Sequence, residues 1–185
     1  MLFSETYRLK EKTMFKQLEG VSGTILSFWR NYGGWKSFFG SPYLHLSLVL
    51  SVVIYCYNAD KADFLSKWTE RMTSTLPSML GMSIAAFAIF LAVGDDEFKQ
   101  LIGGSDPDGN PSPMMVAVAS FTHFTLIQAI ALIFAVFFSF AHFDLWLLRF
   151  LLIFLYIYAL FLVIATIFAI YRIADSYDEI VKIKK

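Results

Sequence analysis

Cysteine is almost missing from this chain of 185 residues. Cys56 stands alone, which excludes an intramolecular disulfide and any zinc site built from several thiolates. Charge is scarce as well. Asp, Glu, Lys and Arg make up 16% of the residues, against about 25% in ordinary soluble domains. The two signs balance at 15 each, so no basic field draws nucleic acid, and none is expected as a direct partner. Proline and glycine number only 5 and 10, too few for a disordered, turn-rich chain. No internal repeat and no low-complexity stretch is present. Signatures of catalysis are absent too: there is no HExxH for a zinc protease, no GxSxG elbow and no GxxxxGK[ST] phosphate loop. Ser83, in Gly81-Met82-Ser83, lacks the flanking pattern of a nucleophile, and His45, His123 and His142 lie on separate segments. The expectation is a non-enzymatic protein without metal or cofactor.

What is present is apolar. Hydrophobic residues make up 57% and aromatics 18%, with 20 Phe and a mean hydropathy of +0.60. A folded chain of this size still leaves roughly a third of its unfolded surface exposed. It cannot hide so much apolar surface from water, so the chain reads as an integral membrane protein. Four apolar segments stand out, at about 42–58, 76–94, 113–140 and 145–172. The fold class expected is an all-α membrane protein of four transmembrane helices with an amphipathic N-terminal helix. Residues 1–40 form the cytoplasmic or interfacial segment, 41–172 the four-helix domain and 173–185 a cytoplasmic tail. Phe28, Trp29, Tyr32, Trp35, Phe38 and Phe39 are interleaved with Arg30 and Lys36, a mixture that suits the headgroup region. The start has no apolar core of the signal-peptide kind, so no cleaved leader is expected.

Topology follows from length and charge. The third and fourth segments are joined by the short link Ala141-His142-Phe143-Asp144 and make an antiparallel hairpin. Phe64, Leu65, Trp68 and Met72 recur at helical spacing and predict a short outer interfacial helix over 60–73. With both termini inside, the inner side holds eleven Lys and Arg and the outer side four. The positive-inside rule then places both termini in the cytoplasm. Arg149 would reach the outer interface near Asp144. No Asp, Glu, Lys or Arg lies deep in a segment, which speaks against an ion-coupled transporter.

Three constellations could carry function. Gly81, Ala85, Ala88 and Ala92 form one small-residue face on the second segment, which lets another backbone approach closely. That face serves either contact between copies or packing within one bundle. Ser47 with Ser51, Ala131 with Ala135, and Ala165 with Ala169 repeat the four-residue spacing on the other segments. Ser120, His123 and Gln128 share an arc of the third segment; intramembrane polar groups face a bundle interior or a wet path. They read either as a pore lining or as interhelical hydrogen bonding. Asp95, Asp96 and Glu97 follow the second segment and could meet a basic cytoplasmic partner. Asp106, Asp108 and Asn110 open like a calcium loop, but Pro111 and Ala117 stand where its Gly and Glu belong.

The opening Leu76-Pro77-Ser78-Met79-Leu80-Gly81, the small-residue face behind it and the acidic exit Gly94-Asp95-Asp96-Glu97 are similar to small bacterial inner-membrane proteins of antiphage defence. The stretch resembles the four-span membrane subunit of Kiwa-type systems. The resemblance covers about 20 residues and carries no functional residue. It implies an oligomeric membrane subunit working with a soluble cytoplasmic partner. The functional expectation is a homo-oligomeric subunit that senses an envelope event, such as phage infection, and signals to that partner. A pore lined by the third segment is the alternative.

Overall fold

The computed structural model describes residues 20–58, 63–92, 102–104, 110–140 and 145–183. The elements are α1 (20–32), α2 (Gly34–Phe39), α3 (Pro42–Asn58), α4 (Phe64–Ala92), α5 (Pro113–Phe140) and α6 (Trp146–Ile183). Among the described residues there is no strand. Residues 1–19 of the N-terminal segment expected over 1–40, the loop carboxylates Asp106 and Asp108, and the link 141–144 lie outside them.

Three helices are long and apolar enough to cross a membrane: Phe64–Ala92, Pro113–Phe140 and the part of α6 from Trp146 to Asp175. At a rise of about 1.5 Å per residue, α5 spans about 42 Å and overreaches a hydrocarbon core of about 30 Å. With 17 residues, α3 is about 25 Å long by the same rise. The last turns of α6 leave the apolar run and carry the ion pair of Asp178 with Lys182 one turn on.

The separate interfacial helix expected over 60–73 is not there. Residues 64–92 form one continuous helix with Pro77 inside it. Pro77 removes a single backbone bond, to the carbonyl of Thr73. The cause of the continuity is the buried row Phe64, Trp68, Met72 and Leu76, spaced by four, which crosses Pro77 without a change of phase. Thr69, Thr73 and Thr75 return their hydroxyls to carbonyls one turn back, so these polar residues leave no unpaired donor.

Helices α4, α5 and α6 pack on one another, and α3 packs against α6. Successive helices alternate in direction. One cluster joins Met72 and Leu76 of α4 to Ala131, Ala135 and Phe138 of α5 and to Leu152, Leu155 and Ala159 of α6. A second joins Leu44 to Phe124, Tyr158, Leu162 and Ala165. Between apolar helices in lipid there is little hydrophobic drive, so close packing through small residues must hold them. Ala131, Ala135, Ala159, Ser47 and Ser51 are all wholly buried and permit that approach. Ser47 and Ser51 bond to carbonyls of their own helix, so they act by their size.

The outer surface is apolar. Val49, Ile84, Ile133, Phe137, Ile167 and Phe168 are each more than half exposed. In water such a surface would drive association; in hydrocarbon it is the solvated face.

Candidate functional site

The polar groups of the bundle gather at two levels. The upper one starts from the corner between α1 and α2. Gly33 and Gly34 have φ of 94° and 62°, and a Cβ on Gly33 would meet Ser37 Oγ at 2.1 Å. Only glycine turns the chain there at low cost. The corner folds Trp35 back onto Trp29, edge to face with ring centroids 4.8 Å apart. It also points Tyr32 and Phe38 at α5. Tyr32 stacks on the imidazole of His123 at 4.4 Å, and Phe38 meets the same ring edge-on at 5.9 Å.

His123 is 3% exposed and shares a hydrogen bond of 3.0 Å between its Nε2 and the Tyr158 hydroxyl of α6. Phe154 stacks on Tyr158 at 5.8 Å. Thus one imidazole ties together the surface helices, α5 and α6. Burial holds the Tyr32 phenol above its ordinary ionisation range. The clasp joins an imidazole to two phenols through one aromatic stack and one hydrogen bond. Tyr156, two residues earlier on α6, faces the other way. Its hydroxyl is 3.2 Å from Thr75 Oγ1, and its ring meets Trp68. Two tyrosines thereby bind α6 to two different neighbours, as buried Tyr hydroxyls require partners.

The lower level is different. Gln128 is wholly buried, and among the described residues neither its amide nitrogen nor its amide oxygen has a hydrogen-bond partner. The same holds for the hydroxyl of Ser83 on α4. Met72 and Leu76 share a cluster with Ala131, Ala135 and Phe138, and Phe90 stacks on Phe121, so the two helices are antiparallel and Ser83 and Gln128 both fall between these contacts. Leaving such a buried group unpaired costs about 1–3 kcal/mol.

Of the polar arc read from sequence, His123 and Gln128 both face the bundle interior, whereas Ser120 is half-buried and bonds back to the Val116 carbonyl. The small-residue face lies on the opposite side of α4 from the core. Gly81, Ala85, Ala88 and Ala92 are all exposed, and a Cβ on Gly81 would find nothing within 4 Å. Packing inside one bundle does not use it. Asp95, Asp96 and Glu97 lie outside the described residues. Arg149 sits over the Phe64 ring at 5.5 Å and Arg71 over Trp68 at 5.8 Å, so both cations lean on aromatic faces at the end away from α1. Among the described residues no group of three or more His, Cys, Asp or Glu could hold a metal ion.

Sequence reasoning missed Tyr158, read Tyr32 only as a headgroup aromatic and weighed Ser83 only as a nucleophile. Among 9 Tyr and 20 Phe, periodicity alone does not single out two rings. The usable signal was the rarity of polar atoms in the run from 150 to 165, where Tyr156 and Tyr158 hold the only side-chain hydroxyls.

Fold and site together define a multi-pass helical membrane protein whose surface helices are clasped to its core. No family model, no curated protein and no solved structure matches the chain.

Proposed function

We propose that the chain is a non-enzymatic membrane subunit that joins copies of itself through the outer face of α4 and relays an event at the envelope to a cytoplasmic partner. The observation that carries this reading is the exposure of Gly81, Ala85, Ala88 and Ala92 on a helix whose opposite side forms the core. Lipid chains gain little from a flat small-residue face, while a second helix gains close backbone contact. In this reading α3 is a fourth span, met by local thinning of the bilayer. Both termini lie in the cytoplasm of a bacterial cell, and α1 lies along the inner surface with Trp29 and Trp35 at headgroup level. A tug on α1 would reach α5 and α6 through Tyr32 and His123, and the relay requires a second state in which this clasp is released. Asp95, Asp96 and Glu97, where α4 leaves the membrane, would receive a basic partner surface. Phage infection is the stimulus that the resemblance to defence subunits implies. The test is a tagged pull-down from native membranes with intact-complex mass. A defined oligomer carrying a soluble protein supports the reading. Single chains without a partner contradict it.

The unpartnered Gln128 and Ser83 favour a second reading, an ion pore of several copies lined by α5. His123 and Gln128 face into one chain's bundle, so such a pore requires α5 to turn on opening. It predicts flux through liposomes that Gln128→Leu abolishes; no flux under any stimulus excludes it.

A further inference from the structure

A cleft of about 300 Å³ lies between α1 and the start of α5, lined by Arg30, Asn31, Gly103, Asn110, Pro111, Ser112 and Met115. We propose that it binds the phosphate group of an anionic phospholipid. The volume stands at the lower end of ligand sites, roughly 300–1,000 Å³. It suits one phosphate with its glycerol rather than a large ligand.

Arg30 supplies a cation, and none of the described lining residues is acidic; Asp106 and Asp108, which lie between Gly103 and Asn110 in the chain, are outside the described residues. The Arg30 side chain makes no ion pair or hydrogen bond with any described residue. Asn31 is only 9% exposed, yet its side-chain amide has no hydrogen-bond partner among the described residues. Its amide atoms do not belong to the wholly enclosed unpaired set of Gln128 and Ser83, and the residue lines the cleft. A buried amide held at a cleft wall without a partner is an unused donor.

The third component is the first turn of α5. Pro113 begins the helix, and Ser112 caps it, its Oγ accepting from the Met115 N–H at 3.3 Å. Pro at the first helical position and a Ser cap fix this end. Pro113 has no N–H, and Ser112 takes those of Met115 and Val116, so this end offers the cleft the positive pole of a 28-residue helix rather than a set of free donors. Leu26, exposed one turn before Arg30 on α1, and Met115 and Val116 of α5, partly exposed, offer apolar surface along which acyl chains can lie. That surface and the adjacent aromatic rings favour a lipid over free phosphate as the source. The inference is independent of assembly through α4.

The test uses the full chain in nanodiscs or mild detergent, with native mass spectrometry reading copies and bound lipids separately. Wild type should retain one phosphatidylglycerol per chain in preference to phosphatidylcholine. Arg30→Gln should lower that retention about tenfold, as expected for a lost charge-assisted hydrogen bond. Asn31→Leu should also lower it, and Lys36→Gln, which removes a nearby charge outside the cleft, should not. Failure of millimolar inorganic phosphate to compete assigns the site to lipid; full displacement keeps the phosphate chemistry and moves the source to solution. Equal retention of both lipids by wild type, or equal losses in Lys36→Gln and Arg30→Gln, overturns the proposal.

Discussion

Ala131 and Ala135 on α5 and Gly81 and Ala85 on α4 share a four-residue spacing and meet opposite fates: the first pair is wholly buried, the second exposed. The difference lies in what else shares the helix face. On α5 the alanines fall on the same arc as Phe124, Gln128 and Phe138, all of them buried. On α4 the small residues lie roughly 120–180° round from Leu76, at about 100° per residue. The row Phe64, Trp68, Met72 and Leu76 takes the core, because large side chains make many more dispersion contacts. A small-residue stripe therefore serves its own bundle when it is in phase with the large apolar row. When it is out of phase it is left exposed.

The sharpest way to break this comparison is to fill both faces. Gly81→Leu should abolish the oligomer without lowering the thermal stability of the single bundle, since a Cβ there meets nothing within 4 Å. Ala135→Leu should do the reverse. It overpacks a wholly buried position and should cost about 1–3 kcal/mol, read as a lower melting temperature in detergent. Equal effects of the two variants on melting would dissolve the contrast. Gln128→Met removes an unpartnered buried amide and should raise stability by about 1–3 kcal/mol. A loss of stability would mean that the amide is paired in the membrane.

Smaller effects are expected at the clasp. Tyr158→Phe removes the 3.0 Å bond to His123 and should cost about 1 kcal/mol. It should also speed hydrogen exchange in α1 without moving exchange in the α4 core row. Tyr32 gives the least. Its ionisation is raised by burial, so docking of α1 is fully present below the ordinary phenol value of about 10 and weakens as pH rises further. Tyr32→Phe should remove that alkaline release, as followed by protease cleavage within 20–32.

The membrane class was legible from composition alone, because scarce charge and abundant Phe leave no soluble solution. The reach of α4 was less so. Lys67, Glu70 and Arg71 interrupt its hydropathy, and Pro77 resembles a helix start. The row 64, 68, 72, 76 carried the correct answer, since an unbroken phase outweighs one lost backbone bond. The residues beyond 172 read as a tail, yet α6 continues to Ile183 with Asp178 paired to Lys182. Of the site, His123 and Gln128 stood out as polar atoms in an apolar run. Their surroundings did not, because Tyr32 lies 91 positions from His123 in the chain. Only the Gly33-Gly34 corner and the antiparallel packing bring the two rings together.

The central claim is that the outer face of α4 joins copies of this chain. Native mass measurement of wild type and Gly81→Leu in the same mild detergent tests it most directly. The account predicts a defined oligomer for wild type and a single chain, equally stable as a bundle, for the variant. The same mass for both would contradict it.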